Sequence, residues 1–297
     1  MIVVTTPTGQ IGHHVVRDLL GAGEPVRVIA RDPGRLPQEV AERAEVVQGN
    51  HNDRDVTMAA FQGADAVFYV VPPDAATDDV RAHYRAFAQA AAAAITARSV
   101  RRVVAVSTLG RGYPKEAGHL SAALEAEPVL EGTGVHYRSL AMPFFMDNLM
   151  NQAAALKEHG TIHMPNSADQ ELLTIATPDI AGVAVRLLTD ATWTGQEAVP
   201  VVGPDRLTPA QMAGVLSEVL GAPIRYQQTS IEEYAATLSQ YGMSRAWVQG
   251  LADMAAAQND GIYSHRQPGP ETVGPTTFRA WAESVLKPVI ESPMPRR

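Results

Sequence analysis

Two glycines three residues apart, Gly9 and Gly12, sit near the start of the chain in the run Thr5-Thr6-Pro7-Thr8-Gly9-Gln10-Ile11-Gly12. A β-type triplet, Ile2-Val3-Val4, precedes the run, and a helical apolar pattern of Ile11, Val15, Val16, Leu19 and Leu20 follows it. A glycine-bearing turn between strand and helix brings backbone amides up to an anion at the positive end of the helix dipole. In a first βα unit the fitting anion is a dinucleotide pyrophosphate: Gly9 permits the close approach and Gly12 lets the helix pack on the strand. A second buried strand, residues 26–30, ends in Arg31-Asp32-Pro33, nineteen residues after Gly12. An acidic residue at that point accepts from a ribose 2′-hydroxyl, whereas an arginine pairs with a 2′-phosphate. Arg31 therefore predicts NADPH over NADH, with the neighbouring Asp32 arguing the other way.

Other chemistry-bearing residues are sparse. No cysteine occurs, which excludes disulfides, thiolate catalysis and Cys-based zinc sites. His13 and His14 are adjacent and read onto different helix faces, and Gly160 breaks any helix joining His159 to His163, so no metal site is expected. Glu125 and Glu127 read as a solvated helix face. The 24 basic and 32 acidic residues leave a formal charge of −8, which argues against a nucleic-acid surface. Arg98, Arg101 and Arg102 read as a cluster capping a helix end. No apolar run is long enough to cross a bilayer, and Met1 adjoins the first strand with no room for a signal peptide. The expectation is a soluble cytoplasmic protein, monomeric or homodimeric.

Elements that would position these residues alternate through roughly the first 150 positions. Apolar runs at 45–49, 66–71 and 103–107 suit central parallel strands buried on both faces. An alanine-rich helix spans about 78–97, with Phe87, Ala91 and Ile95 in register; its small side chains suit close packing, or a dimer contact. A sixth strand reads at 134–140 and leaves through Met142 to Asn148. Later come a helix from Thr177-Pro178-Asp179, a last strand at 198–202, and a helix from Thr208-Pro209. A closing amphipathic helix carries Phe278, Trp281, Ala282 and Val285, and 288–297 reads as a frayed tail. The fold class is α/β, a doubly wound Rossmann sheet over 1–150 with a smaller, mostly helical substrate-binding portion over 151–297. Elements near 172–202 are expected to return to the sheet. The aromatic and methionine residues Phe144, Phe145, Met146, Met150, Tyr234, Tyr241, Trp247 and Met254 either line a pocket there or form core.

The ordered pieces Thr8-Gly9-Gln10-Ile11-Gly12, Arg31-Asp32-Pro33, Gly63-Ala64-Asp65-Ala66-Val67-Phe68, Val71-Pro72-Pro73, Ser107-Thr108-Leu109-Gly110, Pro143-Phe144-Phe145-Met146-Asp147-Asn148 and Thr177-Pro178-Asp179-Ile180-Ala181 carry a resemblance over nearly the whole chain. The sequence resembles the NmrA-like family of atypical short-chain dehydrogenase/reductases, NAD(P)H-binding proteins that include quinone oxidoreductase-like enzymes and redox-sensing regulators. The resemblance implies that Thr5, Thr8, Gly9, Gln10, Ile11 and Gly12 wrap the pyrophosphate and that Arg31 holds the 2′-phosphate. It implies further that Val70, Val71 and Pro72 line the adenosine and ribose, that Asn50 approaches the adenine, and that Ser107 and Thr108 border the nicotinamide. Phe144, Phe145 and Asn148 would lie at the substrate pocket.

The sequence departs from its relatives at several points. Thr6 replaces the first fingerprint glycine. The Tyr-x-x-x-Lys pair of ordinary short-chain reductases, in which the lysine lowers the pKa of an acid tyrosine, is missing. His119 and Ala123 occupy the positions of the histidine and lysine that NmrA-like proteins often show. Ser107 and His119 are the residues left to serve catalysis. A hydride donor needs orientation and exclusion of water more than it needs a protein acid, so activated acceptors suit this sequence best. The expectation is an NADPH-dependent reductase of a quinone-like, aromatic or conjugated carbonyl molecule. The alternative is a non-catalytic NADP(H)-binding redox sensor acting through a protein partner.

Overall fold

In the computed structural model, which describes residues 1–265 and 270–292, one eight-stranded parallel sheet organises the chain. Its strands are β1 (Ile2–Val4), β2 (Val26–Ala30), β3 (Glu45–Gln48), β4 (Ala66–Tyr69), β5 (Arg102–Thr108) and β6 (His136–Met142), joined by two late arrivals. Between them the chain forms α1 (Gly12–Gly21), α2 (Gln38–Arg43), α3 (Arg54–Ala60), α4 (Val80–Arg98) and α5 (His119–Glu131). Successive strand residues face opposite sides, and both sides are covered, which is why the strands read as continuous apolar runs. Ile2, Val4, Val28, Val104 and Leu140 pack under α1 and α2, while Val3, Val67, Val103, Ala105 and Tyr137 pack under α3, α4 and α5. The alanine-rich face of α4 buries Ala88, Ala91 and Ala94 in that second layer, so its small side chains serve packing within the fold.

After β6 the chain makes β7 (Phe144–Phe145), a 3-10 segment Met146–Gln152, α6 (Ala153–His159), β8 (Thr161–Met164) and β9 (Thr174–Ile175). Next, α7 (Thr177–Thr189) covers the α1 face of the sheet and β10 (Gln196–Val202) pairs with β6. α8 (Pro209–Leu220), β11 (Arg225–Gln228), α9 (Ile231–Gln240) and α10 (Arg245–Asn259) follow. Here the sequence reading is extended: β10 is not the outermost strand, because β12 (Thr272–Val273) adds beside it. The sheet order is β12-β10-β6-β5-β4-β1-β2-β3. β8 and β11 form one small parallel pair and β7 and β9 another.

The C-terminal segment α11 (Phe278–Trp281) and α12 (Lys287–Glu291) are joined by a π-turn over 282–286. Helix therefore runs past Pro288 to Glu291, where a frayed tail was expected; 293–297 lie outside the described residues. Phe278, Trp281 and Leu286 seal a third core with Met146, Leu149, Leu172, Leu173 and Leu216. No described helix is long and apolar enough to cross a membrane.

Candidate active site

The sheet winds outward in both directions from β1 and β4, and a crevice opens at the carboxyl ends of its strands, where an open α/β sheet places its ligand. The crevice holds a cavity of about 1140 Å³ that runs from the end of β2 past β1, β4 and β5 to α10.

At its centre is the turn from β1 into α1. A Cβ at Gly12 would stand 1.8 Å from the Thr6 carbonyl oxygen, so only glycine lets the helix start this close to the turn. At Gly9 the nearest atom would be 3.4 Å away, an ordinary contact. The fold therefore demands Gly12, while a methyl at Gly9 would rest in ordinary contact with Thr6. Among the described residues the amide N–H groups of Gln10 and Ile11 find no backbone acceptor, leaving them available to an anion. Thr5 uses its hydroxyl to tie β1 to β4, accepting from the Val70 amide at 3.0 Å, so it shapes the cavity wall.

At the β2 end, Arg31 lines the cavity, is exposed, and forms no hydrogen bond or ion pair among the described residues. Asp32 is occupied instead: its Oδ1 accepts from the Gly34 amide at 3.0 Å and caps a short 3-10 turn. Arg35, from that turn, is a second guanidinium on the same wall. Asn50 also faces the cavity, with its buried Oδ1 unpartnered. Beside it His51 is buried, donates to the Val70 carbonyl at 2.9 Å and packs on Phe87; burial pushes its pKa down to about 4, which keeps the ring neutral. His51 gave no sequence signal beyond its place next to Asn50.

Farther along, Ser107 lies one residue before the end of β5 with its hydroxyl oxygen buried and without an aligned hydrogen bond. Thr108 also lines the cavity but spends its hydroxyl on the Leu109 carbonyl at 2.9 Å. His119 lines the cavity, but its Nε2 faces the Trp247 carbonyl at 3.3 Å and its ring packs edge-on to that indole at 4.1 Å. Burial lowers its pKa. A neutral ring whose N–H is already given to a carbonyl is a poor proton donor, so its observed part is to anchor α5 to α10. Phe145, Asn148, Trp247 and Met254 close the apolar end. Phe144 does not line the cavity; in the β7 pair its side chain falls on the opposite face and packs into the C-terminal core. Met146 is likewise core, and Tyr241 is 76% exposed.

With these residues in place, the comparison with known proteins is direct. A model of the NmrA-like family matches residues 1–281. The chain belongs to the NmrA-like family. A (4-alkanoyl-5-oxo-2,5-dihydrofuran-3-yl)methyl phosphate reductase of Streptomyces griseus is 32% identical over 78% of each chain. The NAD(P)H azoreductase of Xenophilus azovorans is 30% identical over 86% of each. Quinone oxidoreductase 2 of Escherichia coli is 26% identical over 96% of this chain and 98% of its own. Its structure complexed with NADPH superposes with a TM-score of 0.72 at 24% identity, covering 99% of this chain and 95% of that one. That superposition bears on the fold.

In this NmrA-like chain several residues stand otherwise than the sequence suggested. Glu127, read as solvated, is 4% exposed and lines the cavity. Its neighbour Glu125 does sit outside, paired with Arg81. Arg102 lies buried in β5 and donates to the Ala191 carbonyl just beyond α7 at 3.0 Å, while Arg98 donates to the Met58 carbonyl in the last turn of α3 at 3.0 Å, a helix-end contact of the kind expected. His13 and His14 stack with ring centroids 3.8 Å apart, where different faces were expected. Among the described residues no cluster of His, Cys, Asp and Glu could hold a metal ion.

Proposed function

We propose that the chain is an NADPH-dependent reductase that transfers hydride to a quinone-like, aromatic or conjugated carbonyl small molecule. Family membership and relatives named as reductases of quinone, azo and furanone compounds make it an NAD(P)H-dependent oxidoreductase. The observation that carries the finer reading is a single continuous cavity. It begins at an uncommitted Arg31, passes the open glycine turn, and ends at Ser107 beneath the apolar mouth of Phe145, Trp247 and Met254. The residues fit a dinucleotide. The amides after Gly9 would hold its pyrophosphate, Arg31 and Arg35 its 2′-phosphate, and Asn50 and His51 would border its adenosine end.

When bound, NADPH supplies the hydride. The chain's own residues would hold cofactor and acceptor together in one cavity and keep water from the reacting atoms. A flat, conjugated acceptor suits the apolar mouth, where aromatic and thioether groups present broad contact area. Calorimetric titration with NADPH and NADH, then NADPH oxidation with naphthoquinones and aromatic polyketides, tests the reading. Tight NADPH binding with acceptor-dependent oxidation supports a reductase. Tight binding without oxidation by any acceptor moves the assignment to a redox sensor, a reading favoured by Ala123 where a lysine is expected.

A further inference from the structure

The reductase reading leaves one proton to be found. Each acceptor reduced takes a hydride and one proton, yet His119 has given its N–H to a carbonyl and neither tyrosine nor lysine occupies the usual place. The structure holds a buried carboxyl that no motif announced. Along α5, His119, Ala123 and Glu127 recur every four residues and all three line the cavity. Alternation along β5 turns Val103, Ala105 and Ser107 toward α5. In β6, Ser139 pairs with Ala105 in register and lies one step below Ser107.

Glu127 is thus set between two serines. Ser139 Oγ donates to its Oε1. Ser107 lies beside the carboxyl closely enough to favour its charged form, while its own buried hydroxyl keeps no aligned partner. On the other side Arg111, in the loop between β5 and α5, pairs with Glu127 Oε2 and reaches Glu131 at 3.6 Å. Arg111 is 36% exposed on its side chain, so this pair forms an opening to solvent. The groups therefore run in order from water to cavity: Arg111 and Glu131, Glu127, Ser107.

We propose that Glu127 is the proton reservoir of the reaction and that Ser107 passes its proton to the reduced acceptor. The acceptor gains a hydride, and the dinucleotide is oxidised to NADP⁺. The negative oxygen or nitrogen left on the acceptor takes the Ser107 hydroxyl proton, the Glu127 carboxylic acid replaces it, and solvent reprotonates the carboxylate at the Arg111 opening. The sum is acceptor, NADPH and one proton going to reduced acceptor and NADP⁺. Ser107 touches the acceptor; Glu127 acts through it. Burial raises the Glu127 pKa against the opposing pull of both serines and Arg111, and Glu131 pushes it up further. Tyr137 from β6 and Tyr84 from α4 face the same space, both held neutral by burial.

This inference rests on the reductase reading, and two measurements separate their fates. The first needs no turnover: an infrared titration of the protein without cofactor. A protonated carboxyl band that persists above the ordinary glutamate range, lost in Glu127→Gln and shifted in frequency in Ser107→Ala, is the expected result. Its absence overturns the relay and leaves the reductase reading untouched. The second is the pH dependence of kcat with a naphthoquinone acceptor. In wild type kcat falls as pH rises through the Glu127 pKa. In Glu127→Gln that limb disappears and kcat drops about 100-fold, with KM and NADPH affinity within about twofold. Glu127→Asp restores part of kcat and the pH limb, which distinguishes a proton carrier from a packing residue. An unchanged pH limb in folded Glu127→Gln overturns the relay alone. Failure of the wild type to oxidise NADPH with any acceptor overturns the reductase reading and the relay with it.

Discussion

Gly9 and Gly12 show how differently two residues of one motif are constrained. Gly12→Ala drives a methyl into the Thr6 carbonyl; it is expected to lower Tm by several degrees and abolish NADPH binding, as read by thermal melts and calorimetry. Gly9→Ala meets only ordinary contacts with Thr6, so stability is expected to hold to within about 0.5 kcal/mol in the same melts. Arg31→Ala weakens NADPH by about 1–3 kcal/mol, a lost charge-assisted contact, and leaves NADH nearly unchanged; equal weakening of both in titrations would remove Arg31 from the phosphate site. His51 adds a pH dependence. Folded, it protonates only near pH 4, against 6.5 in the unfolded chain. Between those values the unfolded state binds the extra proton, so stability present above pH 6.5 is lost as pH falls toward 4. The slope is at most about 1.4 kcal/mol per pH unit. Urea melts across that window check it, with a flatter slope in His51→Gln.

At the scale of elements, α5 and α10 decide what the cavity can do. The sequence placed His119 as a candidate acid; the packing of α10 makes it a strut, its ring against Trp247 and its N–H on that residue's carbonyl. His119→Phe keeps the ring contact and loses one hydrogen bond. The expected result is a cost of about 1 kcal/mol in chemical melts with kcat within a few fold. Collapse of kcat at unchanged NADPH affinity would return the acid role to His119. Helix periodicity made α1 and α7 legible because their buried stripes, beyond Thr177 at the start of α7, are apolar. α5 was misread at Glu127 for the converse reason: a glutamate predicts a wet face, and only Ser139, Ser107 and Arg111, which come from other elements, make its burial tolerable.

At the scale of the whole molecule, the sheet is finished by residues far down the chain. Residues 1–150 contain β1 to β6 but lack α7, which covers Val4, Val104 and Leu140, and lack β10, which pairs along the edge of β6. A fragment ending at 150 would expose an apolar sheet face and an open strand edge. It is expected to aggregate or to lose near-UV circular dichroism while the full chain stays folded; a cooperative melt of the fragment would show the first portion to be autonomous.

By itself the sequence determined what depends on short range: strand runs buried on both faces, the glycine turn at the first strand end, Arg31 nineteen residues beyond it, and the family that these pieces resemble. Most of the residues it singled out for a cofactor line one cavity, because one βα unit after another delivers its strand end to the same crevice. Tertiary structure decided the rest. It turned Phe144 into core while leaving Phe145 in the cavity, tied His119 to Trp247, spent Asp32 on its own turn, brought β12 to the sheet, and set Glu127 under Ser107. Each of these outcomes rests on contacts between residues far apart in sequence or on the final direction of a side chain. Local periodicity carries neither kind of information.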